Sequence, residues 1–168
     1  MQLLEAVANV EGIERVRFTS PHPVGYKQDL IDAFGQIPEL VEHVHFPLQS
    51  GSDKILKAMR RPYKAAKFEE LVDRMREVCP EIAISTDIIV GFPGEGEDEY
   101  AETRDLCERV RFDNAFVFRY SKRRVTPAAQ IDESFHLSER VKEERNQDLL
   151  KVVDRIGSEK NHSLIGTE

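Results

Sequence analysis

With 168 residues, of which 40% are hydrophobic and 33% charged, the chain has the material for one ordinary folded domain and is too apolar for intrinsic disorder. Its formal net charge of -7 excludes nonspecific nucleic-acid binding by the whole surface, so any RNA contact must be local. No apolar run approaches the roughly 20 residues that span a bilayer, and the opening from Met1 to Glu5 lacks the basic start of a secretory signal; the expected location is the cytoplasm, with no membrane partner.

In chain order, Leu3, Leu4, Val7 and Val10 form a helical stripe that begins at once, so the chain reads as opening inside a βα unit. Arg15 to Thr19 is predicted as a strand, and it ends in Thr19-Ser20-Pro21-His22-Pro23. Two prolines stiffen that loop and present His22, whose imidazole suits a general acid or a base-stacking group, although taken alone a surface or packing role fits it better. Leu30, Ile31 and Phe34 mark a helix. His43 to Gln49 is the second predicted strand and runs into Phe46-Pro47-Leu48-Gln49-Ser50-Gly51-Ser52-Asp53. There the Gln49 amide and the Ser50 hydroxyl can hydrogen-bond a ribose or amino-acid group, Gly51 allows close backbone approach, and Ser52 or Asp53 is expected to cap the next helix.

Ile55, Leu56 and Met59, then Phe68, Leu71, Val72, Met75 and Val78, give two more helices. The cations among them, Lys57, Arg60, Arg61, Lys64 and Lys67, read as mostly solvated charge. Ile82 to Val90 is the third strand and leads through Gly91-Phe92-Pro93-Gly94-Glu95 into a helix from Glu97 to Arg109. Acidic residues at that helix start complement its dipole and make the turn a poor phosphate cradle, which excludes a nucleoside-triphosphate loop. The fourth strand, Asn114 to Tyr120, ends in Arg119-Tyr120-Ser121-Lys122-Arg123-Arg124, where four cations and a ring suit a polyanion. A last helix is predicted from about Ser138 to Lys160, with Val141, Leu149, Val152, Val153 and Ile156 on its apolar side.

Strands and helices alternate, which implies parallel strands joined by right-handed crossovers: an α/β fold whose ligand site lies beyond the carboxyl ends of the strands. Four parallel strands cannot close a barrel and leave exposed edges. Cys79 and Cys107 are far apart in amphipathic segments and read as buried apolar residues, neither a disulfide nor a metal signature.

Taken together and in this order, the four strand-end motifs resemble the methylthiotransferase branch of the radical S-adenosylmethionine (SAM) superfamily over about Gly12 to Asn161. Within it they are most similar to enzymes that modify dimethylallyladenosine in tRNA. The arm that modifies a ribosomal-protein aspartate typically has a histidine after the corresponding glutamine, where this chain has Ser50. The resemblance implies a partial (β/α) radical SAM-type barrel of about four parallel strands. It would hold S-adenosylmethionine against a 4Fe-4S cluster that cleaves SAM to a radical, which abstracts hydrogen from a modified adenosine beside the tRNA anticodon before a methylthio group is inserted.

By the same resemblance, Ser20 and His22 face the reaction centre. Gln49, Ser50, Asp87, Ile89, Val90, Gly91, Phe118 and Tyr120 contact SAM, and Arg123 and Thr126 lie on the RNA side. The family's CxxxCxxC motif, whose thiolates hold the cluster, is not in this sequence, so the chain is expected to be inactive alone. Residues 1–160 correspond to the carboxy-terminal part of the barrel, and 161–168 to the approach to an RNA-binding β-domain. That domain and an amino-terminal cluster domain are expected as missing partners. The competing expectations are a cluster-free binding or interaction module on the same fold, a methylthiotransferase acting on another tRNA adenosine or on a ribosomal protein, and an unrelated enzyme using His22 with Asp87.

Overall fold

The computed structural model describes residues 2–18 and 25–166. The loop carrying Ser20 and His22, both expected at the reaction centre, lies outside the described residues. Helices α1 (Gln2–Ala8) and α2 (Gln28–Gln36) precede strand β1 (His43–His45). Helices α3 (Asp53–Ala58) and α4 (Ala65–Val78) lead to β2 (Ala83–Val90), and α5 (Glu97–Val110) leads to β3 (Asn114–Arg119). Two 3-10 turns, Pro127–Gln130 and Glu133–Phe135, precede the long α6 (Glu139–Ser163).

The three strands form one parallel sheet in the order β1-β2-β3, with His45 opposite Ser85, Asp87 opposite Phe116 and Ile89 opposite Phe118. The predicted first strand contracts to a single bridge between Val16 and Leu40, held by Val16 N–H to the Glu39 carbonyl at 2.7 Å and Val41 N–H to the Val16 carbonyl at 3.0 Å. β1 is likewise shorter than its apolar pattern, because Pro47 has no N–H to donate to a ladder. Pairing resumes at Gln49, whose N–H reaches the Asp87 carbonyl at 2.8 Å.

The helices lie on one face of the sheet. Val44, Ile84, Ile88, Val90 and Ala115 point into that layer, and the core between them is built on Phe46, Phe68, Phe112, Leu71, Met75 and Leu149. Phe46 stacks on Phe68 with ring centroids 4.3 Å apart, so the segment after β1 is locked against α4. Cys79 and Cys107 are buried in this layer, and burial pushes their thiols up to about 11 and about 12, as expected for packing residues.

The opposite face is covered by no described element. Its residues alternate with the core set, as period-2 strands require: His43 and His45; Ser85, Asp87 and Ile89; Asn114, Phe116 and Phe118. Phe116 and Phe118 remain 51% and 52% exposed. A parallel sheet is ordinarily buried on both faces, so one bare face carrying two phenylalanines is the wall of an open, partial α/β barrel.

Two connections differ from the sequence reading. Ser52 stands at the α3 N-cap without a side-chain hydrogen bond, while Asp53 accepts from Ala65 N–H at 2.8 Å and so caps α4 instead. α3 ends with Arg60 in the left-handed region (φ 58), where Arg61 N–H reaches back to the Leu56 carbonyl at 2.8 Å. Helices usually place glycine there, and a side chain with Cβ costs about 1 kcal/mol.

Candidate functional site

The carboxyl ends of β1, β2 and β3 converge through three loops, each fastened from behind. After β1, Leu48 N–H donates to Thr86 Oγ1 at 2.9 Å, and that hydroxyl donates to the Phe46 carbonyl at 2.8 Å. Gln49 follows with positive φ (71), buried backbone, and no protein partner for its carboxamide among the described residues. Ser50 is turned inward: its hydroxyl shares a hydrogen bond with Thr103 at 3.2 Å and accepts from Ser52 N–H at 3.2 Å. Its hydroxyl is thus occupied inside the protein, and Gly51 serves close packing on α5, where an added Cβ would lie 2.6 Å from Thr103 Cα.

After β2, Gly91 takes φ 74 and its N–H donates to Glu95 Oε1 at 2.8 Å. Arg145 of α6 donates to the same carboxylate at 2.7 Å and to the Glu95 carbonyl at 3.0 Å, while its guanidinium carbon sits 5.2 Å from the Tyr100 ring centre. Burial raises the Glu95 carboxyl above its usual range; the Gly91 N–H and Arg145 act in the opposite direction. The Val90 side chain lies in the core and its carbonyl accepts from Tyr120 N–H at 2.8 Å, so these groups and the Gly91 N–H are all engaged within the protein.

After β3, the Tyr120 ring packs edge-on against Phe92 at 5.2 Å, and its hydroxyl is buried without a hydrogen-bond partner among the described residues. Lys142 crosses this loop to bond the Tyr120 carbonyl and Glu139. A cavity of about 330 Å³ lies here, lined by Tyr120, Lys122, His136 and Lys142 among others. Thr126 accepts from Ala129 N–H at 3.3 Å and donates to the Arg123 carbonyl at 2.9 Å, so its hydroxyl caps the following 3-10 turn. Arg123 is exposed; two cations of the same run, Arg119 and Lys122, are paired with Glu143 and Glu133.

Across the bare face runs a polar chain that the sequence reading passed over. Arg17 meets His43 Nδ1 at 3.0 Å, His43 Nε2 meets Ser85 Oγ at 3.2 Å, Ser85 Oγ meets His45 Nδ1 at 3.0 Å, and His45 Nε2 meets Asp87 Oδ2 at 3.2 Å. The signal for it was the period of His43-Val44-His45, which sets both imidazoles on one face. Of the predicted SAM contacts, Asp87, Ile89 and Phe118 share this face, with Ile89 directly opposite Phe118.

Burial, then the neighbouring Arg17 and His45, hold the His43 imidazole below its usual value. A histidine with a depressed folded value contributes stability above the unfolded pKa of about 6.5, and that contribution is lost as pH falls through the folded value. NMR titration of the His43 ring is expected to show a midpoint below 6.5, moving upward in Arg17→Gln.

A model of the Radical SAM superfamily matches residues 1–107. Among curated proteins, tRNA-2-methylthio-N(6)-dimethylallyladenosine synthase of Akkermansia muciniphila is 58% identical over 167 residues, covering 99% of this chain and 36% of that protein. Proteins of the same name from Methylacidiphilum infernorum and Thermobifida fusca are 55% and 50% identical, with 35% and 33% of their lengths covered. The chain therefore spans about a third of the length of these relatives. Among solved structures, coproporphyrinogen III oxidase (HemN) from Escherichia coli, a radical SAM enzyme, superposes with a TM-score of 0.66 over 81% of this chain and 31% of its own, at 17% identity, a likeness of fold alone. With most of its length, residues 1–107, matched by the family model, the chain belongs to the Radical SAM superfamily.

Proposed function

We propose that this chain is the SAM-binding part of the barrel of a tRNA methylthiotransferase, with activity toward a modified adenosine near the anticodon residing in the longer protein. The observation that carries the reading is the bare sheet face ending at a buried, left-handed Gln49 whose side-chain carboxamide has no protein partner among the described residues. Ile89 and Phe118 offer a flat apolar surface for an adenine ring, and Asp87, held by His45, offers an acceptor for ribose hydroxyls or an ammonium group. The names of the relatives support tRNA as substrate.

SAM held against a reduced iron-sulfur cluster supplies the hydrogen-abstracting chemistry. The two cysteines of this chain do not fit that cluster: both thiols are buried on the helical side and held protonated, whereas cluster ligands are thiolates. The cluster ligands would come from the part of the relatives this chain does not cover, and the role of these residues is to bind and orient SAM and to exclude water around it.

The test is an amide NMR titration of the chain with SAM. Perturbations confined to Gln49, Asp87, Ile89 and Phe118, with affinity falling about tenfold in Gln49→Ala from the loss of buried hydrogen bonds, are expected. Perturbations elsewhere, or none at millimolar SAM, would remove the reading.

A further inference from the structure

The stretch from Asp53 to Lys67 carries six cations, Lys54, Lys57, Arg60, Arg61, Lys64 and Lys67, against one carboxylate, in a chain whose overall charge is -7. Two of the six are neutralised locally, Lys54 by Glu99 at 2.7 Å and Lys67 by Glu70 at 2.6 Å. Among the described residues Lys57, Arg60, Arg61 and Lys64 have no carboxylate partner within ion-pair distance, and Arg61 Nε is buried without a hydrogen bond. Four cations left together without carboxylate partners concentrate positive potential on one surface of an otherwise acidic chain, which favours an anionic partner there.

The fold places this surface at the mouth of the sheet. The loop between α3 and α4 is tied to the segment leaving β1, because the Tyr63 hydroxyl donates to the Leu48 carbonyl at 3.0 Å, one residue before Gln49. A groove of about 550 Å³ beside it is lined by Lys54, Lys57, Arg61 and Lys64, with Asp53 as its one carboxylate. The backbone gives a second, independent sign. Arg60 holds a left-handed conformation that glycine adopts without strain, so the arginine side chain is kept at a cost to folding, as happens where a side chain has a task beyond stability.

We propose that Lys57, Arg60, Arg61 and Lys64 form a docking surface for the phosphate backbone of an RNA substrate, delivering a nucleotide to the strand-end site. The inference rests on the reading of this chain as part of a tRNA-modifying enzyme, and names the surface that reading requires. Phosphate spacing along a folded RNA suits cations spread over a helix end and the following loop, and guanidinium groups can bond two phosphate oxygens at once. The run from Arg119 to Arg124 is the weaker candidate, since Arg119 and Lys122 are already paired with carboxylates.

The experiment measures binding of the chain to an unmodified anticodon stem-loop RNA as a function of salt, for the parent and for Lys57→Gln/Arg60→Gln/Lys64→Gln, three exposed positions. Affinity at low salt is expected to fall at least tenfold, and the slope of log K against log salt to flatten by about 2 to 3, near the 0.7 to 0.9 released per phosphate contact. Arg60→Gly should weaken RNA binding while its thermal midpoint stays level or rises, which loss of folding would not produce. Unchanged affinity and slope in the triple variant would overturn the surface, as would failure of the parent to bind the RNA, or binding of polyglutamate in its place. SAM titration of the same variant separates the two levels: intact SAM perturbations with unaltered RNA binding remove this surface alone, while their absence in the parent removes the underlying reading.

Discussion

Replacing Arg145 by alanine is expected to destabilise the chain by about 3 kcal/mol at neutral pH, the largest effect of any exchange of a charged residue, because it strands a carboxylate inside the protein. The Arg145 and Glu95 side chains are 5% and 1% exposed, and Arg145 holds Glu95 while Glu95 holds Gly91 N–H. Without the guanidinium, the burial that already raises the Glu95 carboxyl acts unopposed by charge. An acid whose folded value is raised contributes stability below its unfolded pKa and loses it as pH rises through the folded value. The deficit of Arg145→Ala should therefore grow between pH 5 and pH 8, and urea unfolding at the two pH values measures it. Glu95→Gln in the same chain should return part of the loss and remove the pH dependence. A pH-independent deficit of under 1 kcal/mol would show that water reaches Glu95 and that the pair does not hold the loop.

Gly51→Ala is expected to cost about 3 kcal/mol, at the upper end for overpacking, because what the new methyl meets is backbone. Its carbon would stand 2.6 Å from Thr103 Cα and 2.8 Å from the Glu102 carbonyl oxygen, atoms of a helix that cannot rotate aside. The loop must lift from α5, breaking the 2.9 Å hydrogen bond from Gly51 N–H to Thr103 Oγ1 and moving Gln49, two residues earlier. Urea unfolding reads the stability, and amide shifts at Gln49 and Ile88 read the displacement. A stable variant with unmoved shifts would mean that α5 yields and the contact does not position the loop. Thr103→Ser, which keeps the hydroxyl, should leave the shifts at Gln49 close to the parent.

The two exchanges explain why α6 and α5 matter to the conformation of the strand-end loops. A strand end leaves the next residues without ladder partners, so their conformation is set by whatever donors and acceptors neighbouring strands, loops and helices bring behind them. Thr86, Thr103, Glu95 and Arg145 do this here, and all four are buried polar groups with partners.

The sequence by itself determined the alternation of strands and helices, the apolar faces of α4 and α5, the buried cysteines and the motifs after β1, β2 and β3, because all depend on local period and turn chemistry. The polar face of α6 misled: Lys142, Arg145 and Asn146 are buried where Val141 is only half-buried, since what meets the helix there is a set of loop carbonyls and a carboxylate. Only the tertiary structure decided that Ser50 and Gly51 serve α5 while the Gln49 carboxamide meets no partner among the described residues, that Asp53 caps α4 and not α3, and that His43, His45 and Asp87 form one chain. A residue's partner across a parallel sheet lies some forty positions away, and no local pattern carries that register. The bare face was legible only in part: alternation divides each strand into two faces, but which face the helices cover is fixed by the handedness of the crossovers and by packing.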